Sequence, residues 1–131
     1  MQYHYLLSTG EIAGKYPDDQ KVKSDEKYGI LVSEKDIDAS DYYIQDGEFK
    51  RYILLEVEDT GNHIQIESNE YQGKMTLYAE YDDGREEETE IEFKKKLKVK
   101  HKNTGLEKLT MIADTCKPVS VTLVGTAITY G

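Results

Sequence analysis

Apolar and polar positions alternate along most of this chain, and glycines cut the alternation into short runs. Thr9-Gly10, Asp46-Gly47, Thr60-Gly61, Asp83-Gly84 and Thr104-Gly105 each separate stretches rich in Val, Ile, Leu, Tyr or Thr. That is the sequence form of successive β-hairpins, because glycine supplies the positive φ that a tight reversal requires.

Paired strands must set apolar opposite apolar, so each turn implies a register. A two-residue Thr9-Gly10 loop pairs Leu7 with Ile12 and Tyr3 with Tyr16. A two-residue Asp46-Gly47 loop pairs Ile44 with Phe49 and Tyr42 with Arg51, and a turn centred on Thr60-Gly61 pairs Val57 with Ile64 and Leu55 with Ile66. A two-residue Asp83-Gly84 turn would set Leu77, Ala79 and Tyr81 against glutamates. A three-residue Asp82-Asp83-Gly84 loop instead pairs Met75 with Ile91 and Leu77 with Thr89, with Gly84 at the left-handed place. The same logic at Asn103-Thr104-Gly105 pairs Val99 with Leu109 and Leu97 with Met111.

Arg85 to Lys102 contains no turn signal. Its even positions run Glu86, Glu88, Glu90, Glu92, then Lys94, Lys96, Lys98, Lys100, Lys102, while its odd positions include Ile91, Phe93, Leu97 and Val99. Helical Glu-to-Lys pairing at four-residue spacing is the rival reading, but alternation this strict makes a poor helical stripe and predicts one long strand. Lys95 is a charge on its apolar face, so a bulge or bend is expected there. Val119, Val121 and Leu123 alternate again after Pro118, and Gly125 interrupts before Ala127 to Tyr130. Lys15 to Lys27 reads as a loop, and Ser33 to Asp38 as a single helical turn capped by Ser33.

The expected fold is all-β. Antiparallel hairpins form an N-terminal segment over residues 1–52, and a β-sandwich or partly closed barrel follows over residues 53–131. The Cys, Trp, Cys framework of antibody domains is missing, so "Ig-like" describes architecture only.

Charge narrows the functional classes. The net charge is −9, with 26 acidic residues against 17 Lys and Arg, which argues against general nucleic-acid binding. The start of the chain has no basic region before a long apolar run, and no stretch approaches a membrane-spanning helix. Cys116 stands alone, so no intrachain disulfide is expected, in keeping with a reducing compartment. The 11 tyrosines suit pleated, half-buried surfaces.

Chemistry is harder to find. His4, His63 and His101 are scattered, without a second His or Cys at ligand spacing. Asp36-Ile37-Asp38-Ala39-Ser40-Asp41 starts like a calcium loop, but Asp41 stands where such a loop needs glycine and Gly47 where it needs glutamate. Glu86 to Glu92 read as one solvated strand face. Cys116 lies beside Lys117, which could lower its pKa, yet a small buried hydrophobe is the simpler reading. No nucleophile elbow, phosphate-binding loop or dinucleotide fingerprint occurs. No enzymatic activity, metal or cofactor is expected.

The lysine row is the most conspicuous polar feature. It reads first as an exposed sheet face that guards a strand edge. As a contact surface it would meet phosphate or an acidic partner, and two copies paired antiparallel about the strand centre would set acidic rows against basic rows. Candidate interface residues are therefore Lys94, Lys96, Lys98 and Lys100, together with the aromatic Tyr3, Tyr5, Tyr42 and Tyr43 of the first hairpins.

Asp41-Tyr42-Tyr43-Ile44-Gln45-Asp46-Gly47-Glu48-Phe49 resembles the small hairpin modules of tailed-bacteriophage structural proteins. Lys74-Met75-Thr76-Leu77-Tyr78-Ala79-Glu80-Tyr81-Asp82-Asp83-Gly84 is similar to the Ig-like domains that decorate phage heads and tails. The resemblance implies a virion accessory protein, a decoration or tail-associated component bound to a repeating lattice. Its partners would be capsid or tail subunits or further copies of itself, with neither nucleic acid nor membrane, and assembly would take place in the bacterial host cytoplasm. The alternative from another class is a small acidic inhibitor of a host enzyme or a nucleic-acid-binding protein, a reading that the lysine row interrupts.

Overall fold

In the computed structural model, which describes residues Met1–Gly131, Asp46 and Gly47 adopt φ of 53° and 73°. Two successive positive φ values make the reversal whose twist matches antiparallel strands. The hairpin it closes, β4 (Tyr42–Gln45) with β5 (Glu48–Arg51), has the expected register, Ile44 opposite Phe49 and Tyr42 opposite Arg51. Gly84, with φ 84°, ends a three-residue loop between β8 (Gly73–Tyr81) and β9 (Glu86–Phe93), and Met75 lies opposite Ile91 and Leu77 opposite Thr89, again as expected.

The chain is all-β apart from one short 3-10 turn, and it forms two compact units, Met1–Tyr52 and Ile53–Gly131. The first holds a sheet in the order β2 (Ile12–Tyr16), β1 (Gln2–Leu6), β3 (Tyr28–Val32), plus the β4–β5 hairpin. Two expectations fail here. The β1–β2 register places Tyr5, not Leu7, opposite Ile12, and Gln2, not Tyr3, opposite Tyr16. The cause is a longer reversal: the Leu6 N–H donates to Glu11 O and the Gly10 N–H to Leu6 O, so Leu7 to Gly10 all belong to the turn. A bulge between His4 and Tyr5 then shifts the remaining pairs. Ser33 caps no helix. Its hydroxyl accepts from the Lys35 N–H, and the 3-10 turn falls at Ala39–Asp41, where the Asp38 carboxylate accepts from the Ser40 N–H at 3.0 Å.

Gly10 shows why this unit needs a glycine. Its carbonyl accepts the Ile44 N–H at 2.8 Å, which docks the first reversal against β4. A Cβ on Gly10 would lie 2.1 Å from the Ile44 carbonyl oxygen, at φ 78°.

The second unit contains two antiparallel sheets. One has the order β10 (Lys96–Lys100), β7 (His63–Glu67), β6 (Glu56–Asp59); the other runs β13 (Ala127–Tyr130), β12 (Val119–Thr122), β11 (Leu106–Ala113), β8, β9. Alternate residues of both sheets enter one buried cluster that includes Ile64, Ile66, Met75, Leu77, Met111 and Val121. No sheet closes into a barrel, and the arrangement is compatible with a β-sandwich. Val57 lies opposite Ile66 instead of Ile64, a slip of two residues that keeps every side chain on its expected face. It arises because Thr60 and His63 close the turn around Gly61-Asn62.

The largest correction concerns Arg85 to Lys102. It is not one strand. The chain bends at Lys94–Lys95 and passes from one sheet to the other. Val99 pairs with Ile64 and Leu97 with Ile66, while Leu109 pairs with Ala79 and Val121. Asn103-Thr104-Gly105 therefore connects two sheets and closes no hairpin, although Gly105 has the expected positive φ of 78°.

Candidate interaction surface

Each sheet of the second unit ends in a strand taken from this bent segment, since β9 borders the five-stranded sheet and β10 the three-stranded one. The bend is pinned by the Ser68 N–H, which donates to Lys95 O at 3.0 Å, while the Ser68 hydroxyl accepts from the Glu70 and Tyr71 N–H groups. Lys94 and Lys95 line a shallow depression of about 370 Å³ beside Ser68 to Gln72.

Backbone polarity follows from the ladder phase. Tyr81 N–H donates to Arg85 O, and His101 N–H donates to Asn62 O. Odd residues of β9 and β10 therefore point their amides at the neighbouring strand, and even residues point theirs outward. The outward residues are the glutamates of β9 and the lysines of β10. All of these side chains are exposed. Lys96, Lys98 and Lys100 share one face of β10, Lys94 sits at the bend, and none of the four forms an ion pair within the chain. On β9, Glu90 has Lys74 at 3.6 Å, whereas Glu86 lies directly opposite Glu80, a like-charge pairing that destabilises.

The four candidate tyrosines belong to the first unit. Tyr3 was expected at an interface, but it is 0% exposed. Its hydroxyl donates to Lys35 O at 2.7 Å and accepts from the Ile37 N–H, and its ring meets Phe49 edge-on at 4.8 Å. It is a core residue. Tyr5, Tyr42 and Tyr43 are half-buried. Tyr42 lies under the Arg51 guanidinium, and Tyr43 packs against Tyr52 at 5.1 Å.

Asp36 and Asp38, the start of the calcium-like run, are engaged locally. Asp36 pairs with Lys15, and Asp38 accepts from both the N–H and the hydroxyl of Ser40. No group of three or more His, Cys, Asp or Glu side chains is placed to hold a metal ion. Cys116 is buried, and burial first, then Asp114 and Glu70, push its thiol up to about 12. Lys117 does not activate it.

One polar cluster was not visible in the sequence. Asp59, at the end of β6, accepts from His101 Nε2 at 2.8 Å, from the Thr126 hydroxyl at 2.9 Å and from the Gly61 N–H at 2.8 Å. Imidazole and hydroxyl both bond to the carboxylate and not to each other, so the cluster lacks the imidazole–hydroxyl contact that activates a nucleophile. It ties together the β6–β7 turn, the end of β10 and the β12–β13 loop.

The Gly61 N–H, with His101 and Thr126, holds the Asp59 carboxyl below the usual carboxylate range. A depressed folded-state pKa contributes stability that is present above the unfolded value near 4 and lost as pH falls through the folded value. Asp59→Asn should therefore cost roughly 1–3 kcal/mol at pH 7, and the gap between variant and wild-type melting temperatures should shrink towards pH 3. An equal gap at both pH values would assign the loss to packing.

No protein-family model matches the chain, and neither the curated proteins nor the solved structures contain a match to it.

Proposed function

We propose that the chain is a structural and assembly protein that works by contact through its sheet edges, as an accessory component of a tailed-phage particle bound to a repeating protein lattice. The observation that carries the reading is the row Lys94, Lys96, Lys98 and Lys100: exposed, without intrachain ion pairs, in a chain of net charge −9. An open strand offers both main-chain hydrogen bonds and a charge pattern, and these serve affinity and specificity respectively. The resemblance of the Asp41–Phe49 hairpin and of Lys74–Gly84 to phage structural modules supplies the setting, with assembly in the bacterial host cytoplasm.

The test is co-sedimentation of the purified chain with particles that lack it. The reading expects saturable binding that weakens as salt rises and is lost when Lys96, Lys98 and Lys100 are changed to glutamate. A chain that ignores particles but inhibits a host enzyme or a nucleic-acid-binding protein overturns it in favour of the acidic-inhibitor alternative.

A further inference from the structure

We infer that β9 and β10 together form a self-complementary edge, and that its partner is a second copy of this chain. The two copies would be related by a two-fold axis at the bend, with β9 of one copy paired antiparallel to β10 of the other. The inference rests on reading these edges as contact surfaces, and it does not require a particle.

Three independent features converge on this pairing. The first is topological: both halves of the bent segment are sheet borders, so neither has a partner on its outer side. Because one bent segment supplies a border strand to each sheet, a two-fold placed at the bend satisfies both borders at once. A closed, isologous contact results instead of an open chain. The second is backbone phase. The residues whose amides point outward are the even ones on both strands, as Tyr81 N–H to Arg85 O and His101 N–H to Asn62 O require. Antiparallel pairing of β9 with β10 then brings outward amides opposite outward amides.

The third is side-chain chemistry. With Lys94 at the axis, Glu92 lies opposite Lys96, Glu90 opposite Lys98, and Glu88 opposite Lys100. On the other face the half-buried Ile91 lies opposite the half-buried Leu97. Charge and apolar face agree in one register, which is the condition for a specified pairing.

The same rows exclude the wrong pairings. Two β9 strands would oppose glutamate to glutamate, and two β10 strands lysine to lysine, so like-charge repulsion leaves only the mixed pair. Lysines on an edge ordinarily prevent association. Here the neighbouring edge of the same chain carries the matching charge, so what repels other edges attracts this one.

The experiment measures mass in solution by light scattering and sedimentation, using the full chain. At low salt the wild type should show twice the chain mass, returning to monomer as salt is raised. Reversing Lys96, Lys98 and Lys100 to glutamate should weaken association roughly a hundredfold or more, because each cross-strand attraction becomes a repulsion. Reversing Glu88, Glu90 and Glu92 to lysine should do the same. Mixed one to one, the two variants should recover the double mass, which also proves that both are folded. The single exchanges Lys98→Glu and Glu90→Lys give a milder second pair should a triple variant not fold.

A wild type that is monomeric at low salt, a dimer that survives both reversals, a species heavier than the dimer, or a mixture that stays monomeric would each overturn the inference. A monomer that still co-sediments with particles overturns this pairing and keeps the assembly reading. A dimer that ignores particles does the opposite.

Discussion

Gly10→Ala should unfold the first unit. The new methyl group would sit 2.1 Å from the carbonyl oxygen of Ile44, which is main chain and cannot rotate away. Relief requires separating the reversal from β4, and that breaks the Ile44 N–H to Gly10 O bond of 2.8 Å. The φ of 78° adds a further ~1–2 kcal/mol for any residue with a Cβ. Together the clash, the lost bond and the strain should cost about 3–5 kcal/mol. Unit 1 spans only Met1–Tyr52, and stabilities run at about 0.05–0.15 kcal/mol per residue. Gly47→Ala is the control, because Gly47 has φ 73° but nothing within 4 Å of its Cβ position. It should cost only about 1–2 kcal/mol. Amide exchange at Leu6 and Ile44 reads the difference: fast exchange in Gly10→Ala and near-native protection in Gly47→Ala. Equal protection in the two variants would show that the close approach is not needed.

Phe93→Ala should be the most damaging single truncation in the second unit. Phe93 is 1% exposed, ends β9 opposite Gly73, and stacks on Tyr71 with ring centroids 6.3 Å apart. It is the last inward residue before the chain leaves one sheet for the other. Its ring therefore fills core volume beside the bend, where the Ser68 N–H to Lys95 O bond begins the second sheet. Phe-to-Ala changes in packed cores cost about 3–5 kcal/mol, and a denaturation midpoint shifted by that amount is expected. Ile91→Ala, at a half-buried position on the same strand, should cost clearly less. Reversal of that order would place the core elsewhere.

The legible parts of the fold are those decided within a few residues. Asp46-Gly47 and Asp82-Asp83-Gly84 each determine loop length and left-handed positions locally, so their registers follow from turn chemistry and face matching alone. Thr9-Gly10 misleads because the reversal recruits Leu7 and Ser8, and a bulge beside Tyr5 then shifts the pairs that follow. The lysine strand shows the deeper limit. Alternation states which face Val99 presents but not which strand it meets, and Ile64 and Leu109 offer equally apolar partners. The choice falls to Ile64 because Gly105 serves a sheet-to-sheet connection, in which its carbonyl accepts the Asp82 N–H at 2.8 Å.

The candidate surface was legible in its charges and illegible in its division. Glu86 to Lys102 announces two charge blocks, but only the topology makes each block a border of a different sheet. Tyr3 looked like an interface residue because tyrosine combines area with a polar tip. The backbone at Lys35 and Ile37 takes up that tip, which permits full burial. The Asp59–His101 pair could not be read from spacing, since its members come together only when β10 joins β7 and β6.

The division of Arg85 to Lys102 into two sheet borders is the claim on which the contact surface depends, and one cross-strand measurement tests it. With His101 and Asn62 hydrogen-bonded, Lys98 and Gln65 form a close, non-hydrogen-bonded pair. Their Hα atoms should give a strong mutual NOE. An NOE from the Lys98 Hα to the Thr110 Hα instead, with none to Gln65, would restore a hairpin through Asn103-Thr104-Gly105 and contradict the account.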